Sequence, residues 1–344
     1  DTLRIHSRCL GSLRATVAPT RNTLSHANKT RNSDMMQDLF WEVLSDLENK
    51  MPGGFGLKYK GLPRRFKKAI YAVDSSTIAL VANCMSWAKH RRRKAAAKLH
   101  LRLNLQSFLP AFAIVEEASH HDDTRAPALC AHLQEDEIAL FDKAYVNFTH
   151  LYNLCQRGVF WVTRAKGNMS YTVRKKLLAK PKGNILRDDL VLLKTPKSKE
   201  QYPVLIRRFE MIVTVDGKDK IMVFITNNMD WAASSVGDLY QARWGIEVFF
   251  KQIKQTLQVC DFLGHSKHAI RWQLWAALLL YVLMRFQGQV AGWSHSFSRL
   301  LAMVRGVVWD RIDLLSLLKS YGTAGGSYRM RIACETSYLP GFSP

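Results

Sequence analysis

Two aspartates in this 344-residue chain each follow a short apolar run, Asp74 after Ala69-Ile70-Tyr71-Ala72-Val73 and Asp142 after Ile138-Ala139-Leu140-Phe141. Each run reads as a buried strand, so each acid is expected at a strand's C-terminal end with its tip facing a cleft. Phosphoryl transfer by two divalent cations needs carboxylates that converge from separate elements. One cation activates the attacking oxygen and the other stabilises the leaving oxygen. Magnesium is a hard ion that prefers oxygen ligands, so Asp and Glu are the fitting residue types. Strand-end aspartates also occur widely in α/β proteins with no catalytic duty, and the pair alone does not decide.

A third acid belongs to a helix. Ser235-x-x-Asp238 reads as a capping box that opens a long helix running to about Leu257. Along it stand Tyr240, Arg243, Glu247 and Lys254, which fall within an arc of about 60° at 100° per residue. One acid, two cations and a phenol therefore line one stripe. Ala242, Ile246, Phe249, Phe250, Ile253 and Leu257 fill a neighbouring arc that can pack on a sheet. The stripe would then border a cleft. The plainer alternative is a solvated face carrying an i,i+4 pair between Arg243 and Glu247.

The elements that must position these residues alternate in type. A helical stretch with an amphipathic run from Met35 to Leu47 ends at the breakers Met51-Pro52-Gly53-Gly54. A basic loop, Pro63 to Lys68, leads into the Asp74 strand. Strands are expected over Lys98–Leu105 and Phe112–Val115, a helix near Ala126–Leu133, the Asp142 strand, a helix over Phe148–Cys155 and a strand over Val159–Arg164. From Gly167 to about Asn228 the chain turns rich in Lys, Val and Ile, and Val215-Asp216-Gly217-Lys218 between β-like runs signals a hairpin. The expected organisation is a helical N-terminal region (1–62), the first part of an α/β core (63–166), a β-rich insertion (167–230), the end of the core with the Glu247 helix (231–264) and a helical C-terminal region (265–344).

The chain is 47% apolar and 10% aromatic, which excludes a disordered tail. Its 50 Lys+Arg against 28 Asp+Glu give a formal charge of +22, and an excess of that size favours a polyanionic partner. The six cysteines are scattered without a CxxC pair, which reads as reduced, intracellular thiols. Trp272–Met284 is too short to span a bilayer and reads as a buried helix, and no signal peptide is visible. Because the first residue is Asp1, the natural N-terminus is expected to lie upstream.

Tyr240-x2-Arg243-x3-Glu247-x6-Lys254 resembles, position for position, the signature of insertion-sequence-four-type DDE transposases. Leu239 to Lys251 is similar to that family throughout, as are Ala72 to Thr77, Phe141 to Tyr145 and Phe160 to Lys166. The likeness extends over roughly Leu13 to Phe286. It implies an RNase H-like catalytic core in which Asp74, Asp142 and Glu247 bind two Mg²⁺ ions, with Mn²⁺ able to substitute. The long separation of Asp142 from Glu247 agrees with the β-rich insertion, a feature of this family. The resemblance also implies a homodimer that holds double-stranded DNA, the element's terminal repeats and its target, in a synaptic complex. It places the protein in the prokaryotic cytoplasm, on the nucleoid, with no membrane partner.

By the same likeness Tyr240, Arg243 and Lys254 hold DNA phosphates and end nucleotides. Lys98 and His100 resemble the family's Lys-x-His pattern and are candidates for DNA contact or for a structural role. Arg164 and Lys166 share one face of a strand and are DNA-contact candidates, as is the run Lys89 to Lys94. Trp244 and Trp231 are candidates for stacking on a base. His121-Asp122 lies where the family often has His-Asp and receives no chemistry. Family members usually carry more N-terminal sequence for recognising the repeats. An RNase H-like nuclease without strand transfer would use the same triad, and a catalytically silent DNA-binding descendant of a transposase would keep only the binding.

Overall fold

All four side chains of Ile138–Phe141 are buried, as expected of a strand covered on both faces. The computed structural model describes residues 5–11, 17–51, 55, 66–80, 84, 87–91, 94–118, 122–215, 217–256, 262, 264–310 and 312–322. They form helices α1 (Ser7–Gly11), α2 (Arg21–Thr30) and α3 (Asp34–Lys50), then strands β1 (Ile70–Leu80), β2 (Lys89–Arg91), β3 (Lys94–Asn104) and β4 (Leu109–Glu117). Next come α4 (Asp122–Leu129), β5 (Ile138–Phe141), a 3-10 turn over Lys143–Tyr145, α5 (Phe148–Gln156) and β6 (Phe160–Arg164). After these lie β7 (Tyr171–Lys176), β8 (Ile185–Leu193), α6 (Pro196–Gln201), β9 (Ile206–Val215) and β10 (Lys218–Thr226). The chain continues through α7 (Ala233–Ala242), α8 (Trp244–Lys251), a π-helical turn over Gln252–Thr256, α9 (Lys267–Val290), α10 (Phe297–Val307) and α11 (Leu314–Gly322). Two compact units result, one of residues 57–251 and one of residues 1–56 with 252–344.

The first of these units is built on one mixed sheet in the order β2-β3-β1-β5-β6-β10-β9-β8-β7, with β4 also paired to β3. β1, β5 and β6 run parallel, with Val73 opposite Phe141 and Leu140 opposite Val162. Ala139 and Phe141 share a buried cluster with Leu129 of α4 and Leu151 and Leu154 of α5, so those helices cover one face. α7 lies against β6, β8 and β9, and α8 against β1. Their apolar residues Val236, Leu239, Ile246 and Phe249 are fully buried.

Several sequence expectations shift. β1 does not end at Asp74 but continues to Leu80, because Ser75 to Leu80 still pair with His100 to Ala95 of β3. The helix expected at Ala126 starts at Asp122. β7 to β10 continue the same sheet, since Phe224 to Thr226 of β10 pair with Arg164 to Val162 of β6. The expected hairpin joins β9 to β10, with Gly217 at φ +72°, a conformation that favours glycine. No Ser235 capping box opens the next helix. It begins at Ala233, after Asn228 Oδ1 has already accepted the backbone N–H groups of Asp230 and Trp231 and turned the chain. Pro52 to Gly54, Pro63 to Arg65, Arg92, Arg93, His121, Asp216 and Leu257 lie outside the described residues.

His150 on α5 is buried edge-on to Phe141, with ring centroids 5.9 Å apart. Burial, helped by Arg157, pushes its pKa down to about 4. The unfolded chain therefore takes up this proton first as pH falls. The stability present above pH 6.5 is lost progressively toward pH 4. Replacing His150 by Leu should shrink the stability lost between pH 8 and pH 5 by roughly 1–2 kcal/mol, measurable by denaturant unfolding at the two pH values.

In the other unit α9 packs on α2, α3, α10 and α11. Trp275 lies 5.4 Å from Phe40 and 6.1 Å from Trp41, centroid to centroid. Among the described residues α9 is the one helix long and apolar enough to cross a membrane, and more than half of its most apolar window is buried within the fold. Its Arg285 is buried too, donating to Tyr281 Oη at 3.0 Å and Gln252 Oε1 at 2.8 Å.

Candidate active site

Asp74 and Asp142 each stand one residue beyond Val73 and Phe141, the last pair of the parallel ladder between β1 and β5. They are therefore neighbours at the point where the two strands part. Each follows a residue of the cluster beneath α4 and α5, so strand alternation turns both carboxylates to the opposite face. Asp142 also starts the 3-10 turn, its carbonyl accepting the Tyr145 N–H at 3.0 Å.

α7 and α8 supply the remaining groups. The expected single helix is broken at Arg243, which keeps helical dihedrals (φ −53°, ψ −31°) while α8 restarts at Trp244. Gly245 lies against the β3–β4 turn, where a Cβ would come within 3.1 Å of Leu105 Cδ2 and Phe108 Cε2. A Cβ there would press on both side chains, so glycine eases the close approach of α8 that carries Glu247 in.

Arg243 connects the acids. Its Nη1 donates to Asp74 Oδ2 at 3.1 Å and its Nη2 to Glu247 Oε1 at 2.8 Å. Arg164, from the end of β6, donates to Asp142 Oδ1 at 2.9 Å. The Tyr240 hydroxyl reaches the same oxygen at 3.4 Å, and its ring packs 5.0 Å from Phe224. Asp74, Asp142, Glu247, Tyr240, Arg243 and Arg164 are thus brought together.

Burial raises the Asp74 pKa to about 6. The Ser75 N–H and Arg243 oppose that rise, and the nearby Asp142 and Glu247 charges add to it. Asp142 is also partly buried, yet the Arg164 hydrogen bond and the Lys143 N–H hold it below its ordinary value.

The donor chemistry fits a hard divalent cation. Three carboxylates offer only oxygen, repel one another and already draw in a guanidinium. As the side chains stand, with Arg243 bridging two of the acids, no group of three His, Cys, Asp or Glu among the described residues is gathered as a metal cage.

The other expected site residues lie elsewhere. Lys166 donates to the Val146 carbonyl at 3.0 Å and lines a pocket of about 480 Å³ with Asn147, Phe148, Asn168 and Lys197. Trp244 is 62% exposed at the start of α8. Trp231 is instead packed against Phe66 and Phe160. Lys254 stands on the π-helical turn, so the count at 100° per residue does not carry through to it. Lys98 and His100 are buried within the protein.

These two residues belong to a polar cluster that sequence reasoning missed. Lys98 Nζ lies 2.9 Å from Asp122 Oδ1, which also accepts the Ser75 hydroxyl at 2.6 Å. His100 Nε2 is 3.1 Å from Glu116 Oε1, and Arg125 forms a two-pronged pair with the same carboxylate at 2.8 and 2.7 Å. Burial, partly offset by Glu116 and Asp122, pushes the His100 pKa down to about 4. The alternation of Lys98 and His100 was the available signal. Their acidic partners come from β4 and α4.

Residues 65–283 match the model of a family described as the transposase DDE domain. The chain is 25% identical over 304 residues to y4zB of Sinorhizobium fredii, a chain assigned as a transposase, spanning 88% of this chain and 81% of that one. It is 28% identical over 224 residues to a Geobacillus stearothermophilus chain assigned as the transposase of insertion sequence element IS5377, spanning 64% and 57%. Transposase InsG for insertion sequence element IS4, from Escherichia coli, is 28% identical over 199 residues, spanning 55% and 43%. The chain spans most of the first relative and about half of the other two. The family match spans more than half of the chain and contains every residue of the carboxylate cluster, so the chain belongs to the transposase DDE-domain family.

Proposed function

We propose that this chain cuts and rejoins the DNA ends of an insertion sequence by cut-and-paste transposition, with Asp74, Asp142 and Glu247 as its metal-binding carboxylates. The observation that carries the reading is the pair of adjoining clusters on three acids from β1, the β5 tip and α8: Arg243 holds Asp74 and Glu247, Arg164 and Tyr240 hold Asp142, and Arg243 lies over the Tyr240 ring at 5.5 Å. The strand order β4-β3-β1-β5-β6 agrees with an RNase H-like core, and residues 167–230 then form its β-rich insertion. The formal charge of +22 favours double-stranded DNA as the partner.

Two Mg²⁺ ions, or Mn²⁺ in their place, would activate the attacking oxygen and stabilise the leaving one. The chain's own residues orient and hold the DNA. Arg243 and Arg164 offer planar, two-pronged donors for phosphate oxygens beside the acids, and Tyr240 adds a hydroxyl. Trp244 presents an exposed ring for stacking on a base, and Lys166 and Lys254 are further backbone contacts. Water attacks the scissile phosphate at the element's end. The freed 3′-hydroxyl then attacks the other strand or the target. Joining two ends calls for a homodimer that bridges them, working on the nucleoid.

The test is cleavage of DNA bearing the element's own ends by this chain and by Asp142→Asn, with and without Mg²⁺. Metal-dependent cutting followed by end joining, by the unaltered chain alone, is expected. Binding without cutting by both proteins would overturn the reading in favour of a silent DNA binder. Cutting that ignores the end sequence and never joins would instead indicate a plain nuclease.

A further inference from the structure

Asp74 sits where its strand has just lost a neighbour. Up to Val73, β1 is held by β5 on one side and β3 on the other, and from Asp74 onward, among the described residues, only β3 still pairs with it. A carboxylate that must meet a metal within a few tenths of an ångström needs firmer support than a half-free strand offers. Ser75 supplies a tie on each face of the strand. Its backbone N–H donates to Asp74 Oδ1 at 2.8 Å. Its hydroxyl, projecting to the other face, donates to Asp122 Oδ1 at 2.6 Å.

Asp122 is itself fixed. It opens α4, takes Lys98 Nζ on the same oxygen at 2.9 Å and has His100 Nδ1 at 3.8 Å. Beyond His100 stand Glu116 and Arg125. Two acids, two cations and an uncharged imidazole make the cluster electrically balanced, which favours burying it.

We propose that Asp122 is a positioning residue for the reaction, acting through Ser75 to lock the backbone N–H that aims the Asp74 carboxylate at its cation. Lys98 holds Asp122 in place for that task. This inference rests on the reading of Asp74 as a metal ligand. Groups that orient metal ligands from behind cost about 10- to 100-fold in metal affinity or activity when removed.

The experiment compares Ser75→Ala, Ser75→Thr and Asp122→Asn with the unaltered chain. Ser75→Ala cuts the link while leaving the Lys98–Asp122 pair intact, and Ser75→Thr restores the hydroxyl. Direct Mn²⁺ binding is read by paramagnetic resonance, cleavage as rate and Mg²⁺ half-saturation, and folding by thermal melting. Ser75→Ala and Asp122→Asn should weaken Mn²⁺ binding and slow cutting by about 10-fold, with DNA affinity and the Ser75→Ala melting point unchanged. Ser75→Thr should recover most of the loss.

Unchanged Mn²⁺ affinity in both Ser75→Ala and Asp122→Asn overturns the inference. So does a loss in Ser75→Ala that tracks melting and resists Ser75→Thr. A chain that binds Mn²⁺, responds to these substitutions and never cuts overturns the transposition reading alone. A chain that binds no Mn²⁺ overturns the inference.

Discussion

Replacing Glu247 by Gln should lower Mg²⁺-dependent strand cutting by at least about 1,000-fold, equivalent to about 4 kcal/mol in the barrier, while DNA affinity stays within about twofold. Gln keeps the size of the side chain and an oxygen that can accept from Arg243 Nη2, so the local fold has little reason to change. What is lost is one negative charge on the one acid that α8 contributes to the cluster. The remaining pair, Asp74 and Asp142, would share Arg243 and Arg164 and offer much weaker attraction for a hard dication. Gel-based cleavage alongside equilibrium DNA binding gives both numbers. A Glu247→Gln chain that cuts within tenfold of the unaltered rate would falsify the assignment of this carboxylate.

Much of this cluster was legible because its signals are local. Ile138–Phe141 is an uninterrupted apolar run with an acid at its tip, and the fold puts a short buried strand there with Asp142 just beyond. The stripe of Tyr240, Arg243 and Glu247 survived the break in the helix, because Arg243 keeps helical dihedrals. The break itself was hidden. Beside it Gly245 meets Leu105 and Phe108, a contact between distant segments. The end of β1 was misplaced for a similar reason. Ser75-Ser76-Thr77 looks polar enough to leave a sheet, yet it lies opposite Lys98 to His100 of β3, where Asp122 satisfies the hydroxyl of Ser75. Lys98 and His100 showed their alternation in sequence but not their burial. A lysine is exposed by default, and the acids that make its burial tolerable come from β4 and α4.

The largest stability loss is expected away from the acids, at Arg207. This buried residue on β9 makes a two-pronged pair with Asp188 of β8, at 2.9 and 2.6 Å, and both side chains are less than a tenth exposed. It also donates to the carbonyls of Met229, at 3.3 Å, and Trp231. One guanidinium thus fastens the outer strands to the segment that leads into α7, the helix that carries Tyr240. Arg207→Met removes the cation and leaves Asp188 charged, buried and unpaired, which should cost about 3–5 kcal/mol. The double change Arg207→Met with Asp188→Asn removes that stranded charge and should recover part of the loss. The two carbonyls still lack their donor, so the double variant should remain about 1–3 kcal/mol below the unaltered chain. Thermal melting of the three proteins separates the terms. Equal losses in single and double variants would mean that Arg207 acts through the carbonyls alone, and that the strand-to-helix connection, not the buried charge pair, is what holds this edge of the sheet to the site.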